Sequence, residues 1–299
     1  YQNLISMVFD LMGFRDDWMR EGKAKDTNTV IEPMHLVLVE EPEAHLHIQV
    51  QQVFIRQAYK VLTNHKFLKQ NLNFTTQLVI STHSSHIAIE TTFGNLRYFK
   101  RLPEGTECAV ATSKVINLSD VFGDSDQTNK FVTRYLQSTH CDLFFADAAI
   151  LVEGVAESML LPHFIRSKFP ELYQRYITIL GVNGRHAHRL SPLIEKLCLP
   201  TLVITDLDPA EKEGYHKSVV PKRGEGQISG NYAIAKWLMK EKDIDKLVDY
   251  SEDKKEFSFA SPYRFSIRLA YQTPVKVDFV GEEKEAIPGT FEDCLIYTN

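Results

Sequence analysis

Two stretches decide the fold and the chemistry of this chain: AAILVEGVAE at 148–157 and TLVITDLDP at 201–209. Each is a short run of apolar, mostly branched side chains that ends on acids. Continuous apolar runs of this length fit strands covered on both faces in a parallel sheet, rather than the alternating pattern of a half-exposed strand. Between them the sequence reads as strand 149–152, a turn at Gly154, helix about 156–168, strand ITIL at 177–180, helix about 190–197 and strand TLVIT at 201–205. Strand and helix in alternation predict an α/β fold with a parallel sheet and right-handed crossovers. Such sheets bind ligands outside the carboxyl ends of their strands, and the acids Glu153, Glu157, Asp206 and Asp208 fall there.

In LVEGVAE, Glu153 leaves the strand, Gly154 is expected to permit a tight turn, and Glu157 falls in the first helical turn. In ITDLDP, Asp206 and Asp208 are two apart, so in extended chain they share a face, and Pro209 is expected to stop the strand. If the two strands are neighbours, the carboxylates crowd together, and unpaired like charges raise one another's pKa and oppose folding. Mg²⁺ or Mn²⁺ resolves that repulsion, and two such ions about 3.5–4 Å apart activate water and stabilise a leaving oxygen in phosphodiester cleavage. The plain alternative is that each motif ends a strand with solvated acids.

Working outward, residues 1–20 place apolar side chains on a broad helical face. HLVLV at 35–39 reads as a buried strand that delivers Glu40 and Glu41. Residues 46–63 look helical, QLVIS at 77–81 is a second strand leading to His83, and Leu96–Lys100 is a third. A strand-end acid pair followed by a strand-end histidine suits nucleotide hydrolysis, which needs a carboxylate near Mg²⁺ and a group that orients water. The four histidines His45, His47, His83 and His86 do not have zinc-site spacing, since His45 and His47 are two apart and face apart on a helix. Residues 116–146 look helical and linking, and 209–285 read as an irregular insertion or decoration on the sheet. That stretch holds a helix near 231–242, in which Asn231 has no clear chemistry and Trp237 is expected in the core. Basic clusters at Arg185–Arg189 and Lys217–Arg223 flank the second acid motif, where phosphate contacts could position a DNA backbone without reading sequence.

The bulk properties are those of ordinary globular material, large enough for a substantial core. The chain has 299 residues, 43% hydrophobic and 24% charged, with a net charge of -5, so it has no overall basic signature for nucleic acid. A local basic patch beside a cation-binding acid cluster remains compatible with that balance. Cys108, Cys141, Cys198 and Cys294 are scattered without CxxC spacing, which fits a reducing cytoplasm and neither a zinc site nor a disulfide framework. No apolar run approaches the roughly 18 residues of a membrane span. The sequence opens on Tyr1 inside a helix-like segment, as expected of part of a longer protein.

HLVLVEEPEAHLH (35–47) and QLVISTHSSH (77–86) resemble the Walker B/D-loop and switch-histidine segments of ABC-type ATPases of the SMC-like and DNA-repair kind. LVEGVAE with ITDLDP resembles the Toprim domain of topoisomerases, primases and a class of nucleases. ATPase followed directly by Toprim is the layout of the OLD (overcoming lysogenization defect) family nucleases, shared by the Gabija anti-phage nuclease. The resemblance also takes in THCDLFFADAAILVEG (139–154), HAHRLSPLIE (186–195) and PGTFEDCLIYTN (288–299). It implies Glu40 as the Mg²⁺-side acid, Glu41 as the catalytic glutamate and His83 as the phosphate-sensing switch. It further implies that Glu292 joins Glu153, Glu157, Asp206 and Asp208 at the metal, with Asp293 the weaker candidate. On sequence grounds Thr290 could equally cap a helix that has Glu292 and Asp293 in its first turn. No GxxxxGK[ST] occurs, and the family's Toprim lysine lies beyond Asn299, so ATP hydrolysis is expected only in the full-length protein.

The resemblance therefore implies the C-terminal part of an ATPase domain at 1–112, a helical linker at 113–145 and a Toprim nuclease domain at 146–299, with the insertion at about 210–285. The expected function is DNA cleavage or nicking with two Mg²⁺ or Mn²⁺ ions, regulated by ATP, in phage defence or DNA repair, by a cytoplasmic homodimer joined through its ATPase part. The rival expectation is a non-catalytic, ATP-driven DNA-binding or clamp module with a degenerate Toprim domain. A topoisomerase would need a nucleophilic tyrosine, and none of the tyrosines sits in a motif that argues for one.

Overall fold

The computed structural model describes residues 2–20, 31–71, 73–102, 104, 110–121, 135–136, 141–182, 186–212, 218–238, 240–260 and 264–298. The chain divides into two compact units, one of Tyr1–Leu96 with Thr133–Cys141 and one of Arg97–Val132 with Asp142–Asn299. Among the described residues no helix is long and apolar enough to cross a membrane.

In the first unit, the helix Gln2–Trp18 precedes β1 (Met34–Glu40), the helix Ile48–Thr63 and β2 (Thr75–Ser81). β1 and β2 pair in parallel, with Val37 opposite Leu78. Gln51, Phe54, Ala58 and Leu62 recur at helical spacing and are all buried, and the last three join Leu11, Val37 and Leu46 in one core. The strand is not buried on both faces as its apolar run predicts: Leu36 and Leu38 are 52% and 69% exposed. Within this unit the described helices cover a single face, so the alternate side chains of β1 stay open.

The second unit begins with a hairpin of β3 (Arg97–Leu102) and β4 (Thr112–Asn117), paired antiparallel. The third strand read from the sequence therefore exists but pairs with its own neighbour. The start of the expected linker is β4, and Cys141–Phe144 forms a 3₁₀ turn; most of the remainder lies outside the described residues. Then come β5 (Ala148–Val152), the helix Val155–Lys168, β6 (Ile177–Gly181), the helix Ser191–Leu197 and β7 (Thr201–Ile204). These match the βαβαβ reading closely. Leu193, Ile194 and Leu197 supply the buried stripe of the second helix, the spacing that points one helical face at a sheet.

The short strands β8 (Pro209–Ala210) and β9 (Ile228–Ser229) pair antiparallel, so Pro209 opens a strand beyond the acid motif rather than merely ending one. β10 (Glu256–Phe259) and β11 (Phe265–Ala270) complete a five-stranded sheet in the order β10-β11-β7-β5-β6. β11 runs parallel to β7, with Ala270 beside Ile204, and β10 is antiparallel at the edge. Residues 209–285 are thus not simply decoration, because they supply two strands of the main sheet. The signal was FSIRLA, whose Phe265, Ile267 and Leu269 are buried while the residues between them are more open. A final hairpin, β12 (Val275–Phe279) and β13 (Glu282–Ala286), leads to the helix Phe291–Tyr297.

Leu269 is fully buried beside β7. Leu269→Ala should lower unfolding free energy by about 2–5 kcal/mol, the usual cost of deleting a buried leucine side chain. A denaturant midpoint unchanged from the parent chain would show that β11 is not part of the central core.

Candidate active site

The acid cluster forms because β5 and β7 are hydrogen-bonded neighbours with Val152 opposite Ile204. Glu153 and Thr205 therefore leave the sheet side by side. The Thr205 hydroxyl donates to Glu153 Oε2 at 2.6 Å, and the Asp206 backbone N–H donates to the same oxygen at 3.1 Å. β11 brings in Gln272, whose Nε2 donates to Asp206 Oδ1 while its Oε1 accepts the Leu207 N–H at 2.8 Å. Asn231 closes the other side, its Nδ2 lying 3.3 Å from Glu153 Oε2 and 3.1 Å from Asp208 Oδ2.

Asp206 and Asp208 do not share a face of an extended strand. β7 stops at Ile204, and Asp208 has φ 48°, in the left-handed region that aspartate tolerates better than most residues. The Gly230 N–H holds its carbonyl at 2.9 Å. Gly154 also differs from the expected reason for it. Its φ is -121° and ψ 178°, ordinary extended backbone, but a Cβ there would come within 2.6 Å of Glu157 Oε2. Glycine is needed for room, because the buried Glu157 carboxylate folds back over it.

Burial pushes the Asp206 carboxyl up to about 7. The Gln272 hydrogen bond opposes that rise, while the charges of Glu153, Glu157 and Asp208 add to it. Among the described residues no lysine, arginine or histidine pairs with Glu153, Glu157 or Asp206. The described donors to the Glu153 and Asp206 carboxylates are thus neutral: a hydroxyl, a backbone N–H and side-chain amides. Its donor chemistry, carboxylate oxygen throughout, fits a hard divalent cation. The side chains as placed do not form a closed cage, since no three acids, histidines or cysteines among the described residues surround a common point.

Asp206 and Asp208 open onto a cleft of about 1200 Å³ that is also lined by Lys212, Lys222, Thr290 and Asp293. Thr290 caps the helix Phe291–Tyr297 in a reciprocal box with Asp293, as the sequence allowed. Glu292 is exposed and does not line the cleft; its neighbour Asp293 does, though its carboxylate accepts the Gly289 N–H at 3.0 Å. The helix still reaches the cluster electrically: burial raises the Cys294 thiol pKa, and Asp206 and Asp293 raise it further. Of the expected basic residues, Arg185 and Lys217 lie outside the described residues. Arg189 does not line the cleft and Arg223 is engaged by Asp249 at 2.8 Å and Glu285 at 2.9 Å, whereas Lys222 lines the cleft beside Glu225 at 3.8 Å. Trp237 is buried, as expected.

In the first unit, Glu40 ends β1 and is exposed, and Glu41 follows with φ 42° and ψ 56°. A glutamate in the left-handed region is strained backbone, fixed here by the Glu41 N–H donating to the Ser81 carbonyl at 3.0 Å. This places Glu41 Oε1 3.2 Å from His83 Nε2. Sequence reasoning missed Glu43, the third acid of EEPE. Its Oε1 accepts the Thr82 hydroxyl at 2.9 Å and the His83 N–H, tying the two strand ends together.

Residues 144–208 match the family model described as overcoming lysogenization defect protein-like, TOPRIM domain, and residues 1–88 match an AAA ATPase domain model. Endonuclease GajA of Bacillus cereus (strain HuB5-5) is 28% identical over 314 residues, covering 100% of this chain and 41% of that protein. Endonuclease GajA of Bacillus cereus (strain VD045) is 24% identical over 250 residues, covering 83% of this chain and 38% of that protein. The chain spans about two fifths of the length of these curated relatives.

The raised pKa of Asp206 carries a sign. Because its folded value, about 7, lies above the ordinary 3.8, the fold favours the protonated form. That stabilisation is complete below about pH 4 and is lost as pH rises through about 7. In chelator-treated protein the melting temperature should fall across that window, and less steeply in Asp206→Asn; identical slopes would refute the shift. Gly154→Ala should leave the fold intact while displacing the Glu157 carboxylate, because the clash is with a movable side-chain end. Thermal melting within a few degrees of the parent, with weakened Mn²⁺ binding by calorimetry, is the expected pair of results.

Proposed function

We propose that this chain, in which an OLD-like Toprim segment follows an ATPase-domain segment, is part of a metal-dependent DNA endonuclease whose cleavage is regulated by ATP. The observation that carries the proposal is that two adjacent strands deliver Glu153 and Asp206 into one hydrogen-bonded acid cluster at the mouth of a cleft. The GajA endonucleases matched along the chain support the same reaction class.

In this reading Glu153, Glu157, Asp206 and Asp208 hold the divalent ions, Mg²⁺ or Mn²⁺, with the exposed Glu292 the peripheral member. Bound ions would lower the pKa of water and stabilise the leaving oxygen of a phosphodiester. The work of the chain is placement. Thr205 and the Asp206 N–H fix one oxygen of Glu153, and Gln272 fixes one oxygen of Asp206. The second oxygen of each carboxylate is left for an ion. Lys212 and Lys222, on the wall of the cleft, contact backbone phosphates of DNA without reading bases. Glu41 and His83 form the hydrolytic edge of a nucleotide site whose phosphate-binding loop belongs to the full-length protein, with Glu40 beside the nucleotide's Mg²⁺. Pairing of two ATPase parts into a homodimer, residence in the cytoplasm and a role in phage defence or DNA repair belong to the same proposal.

Plasmid nicking by the full-length parent with Mn²⁺ or Mg²⁺ tests it. Asp206→Ala should reduce nicking by roughly a hundredfold or more, since loss of even outer-shell support at metal sites costs about 10–100-fold. Equal cleavage by parent and variant would support the rival reading, a non-catalytic clamp.

A further inference from the structure

We propose that Asn231 and Gln272 are positioning residues, two buried neutral amides that hold Glu153, Asp206 and Asp208 in register for a divalent cation. The inference rests on the metal-nuclease reading above and adds to it the parts that set the spacing of the acids.

Neither residue belongs to an acid motif. Asn231 lies 78 positions from Glu153, and Gln272 lies 66 from Asp206. Both are nonetheless almost completely buried, at 1% and 4% exposure. A buried amide must place both its oxygen and its NH₂ against partners, and here each amide has one orientation that satisfies them. Asn231 is the N-cap of the helix Tyr232–Trp237, and its Oδ1 accepts the Ala233 N–H at 2.8 Å and the Ile234 N–H at 3.4 Å. Turning the amide over would set its NH₂ against those N–H groups and its oxygen against carboxylates. Its NH₂ is therefore directed at the cluster, where it meets Thr205 Oγ1 at 2.8 Å, the Asp206 carbonyl at 3.0 Å, Asp208 Oδ2 at 3.1 Å and Glu153 Oε2 at 3.3 Å. Two protons face four acceptors, drawn from the ends of both acid-bearing segments.

Gln272 repeats the device. Its Oε1 is occupied by the Leu207 N–H at 2.8 Å, which directs its NH₂ to Asp206 Oδ1. In both residues a backbone N–H locks the amide oxygen, and the lock aims the donor at an acid. The neutrality of the amide matters as much as its direction. A lysine or arginine in either place would hold the carboxylates equally well, but its charge would compete with an incoming cation. An amide fixes one oxygen of an acid and leaves the charge of the cluster in place.

The test uses the full chain, with Mn²⁺ as the probe. Asn231→Ser retains an oxygen at the N-cap position, so helix capping persists, but it removes the NH₂. Gln272→Met keeps the length and bulk of the side chain and removes its donor. Calorimetric titration should show Mn²⁺ affinity reduced by about tenfold or more in each variant, while circular dichroism and the melting of metal-free samples report whether the variant is folded. A merely structural role would lower the melting temperature without changing the affinity of the folded chain. Folded variants that bind Mn²⁺ within about fivefold of the parent overturn the proposal and leave the nuclease reading standing. A parent chain that binds no Mn²⁺ overturns both. The two substitutions remove donors from different atoms of Asp206, its carbonyl and its carboxylate, so if one fails to fold the other decides.

Discussion

Crowding of like charge at the end of one strand pair is the constraint around which the second unit is built. Glu153 and Asp206 are adjacent because β5 and β7 are adjacent, and Glu157 and Asp208 bring two further charges close enough to raise the Asp206 carboxyl. Repulsion of this kind is usually relieved by a basic partner or by separation. Here Glu153 receives a hydroxyl and a backbone N–H, and Asp206 receives an amide N–H together with partial burial. An arrangement that crowds carboxylates beside neutral donors, at the cost of raising the Asp206 carboxyl, has use for a cation and little for stability, which is why the chemistry can be argued from the fold.

Much of this was legible in the sequence because the signals were local. The apolar runs at 149–152, 177–180 and 201–205 are strands, the intervening helices fall where expected, and the two acid-bearing strands are neighbours. What escaped was set by tertiary context. FSIRLA alternates as a half-exposed strand does, yet lies beside β7 in the central sheet, and nothing local fixes which edge a strand joins. Asn231 carries a readable N-cap signal, an asparagine just before a helical run, but the four acceptors that its NH₂ meets come from distant segments. Gln272 had no local signal at all. Gly154 was noticed for the wrong reason, since its backbone is ordinary and the restriction comes from the Glu157 side chain.

The first unit shows the same division between local and distant information. Glu41 and His83 were each visible as strand-end residues, and their 3.2 Å approach follows from the parallel pairing of β1 and β2. The left-handed backbone at Glu41 was not visible, and neither was the bracing role of Glu43. Both depend on the loops after two strands being held at a fixed distance. Glu43 spans that distance, so any movement of the histidine-bearing loop must be felt by the loop that carries the acids.

The position of β11 in the chain has a consequence for biosynthesis. β7 ends at Ile204, but its outer neighbour begins only at Phe265. While the polypeptide grows from its N-terminus, that flank of the sheet has to wait some sixty residues for its partner. Gln272 follows immediately behind β11, so the last brace on Asp206 arrives in the same step that seals the sheet. A ribosome-bound chain released before that point holds all four acids but not the framework that arranges them, which delays assembly of the cluster until the sheet around it is finished.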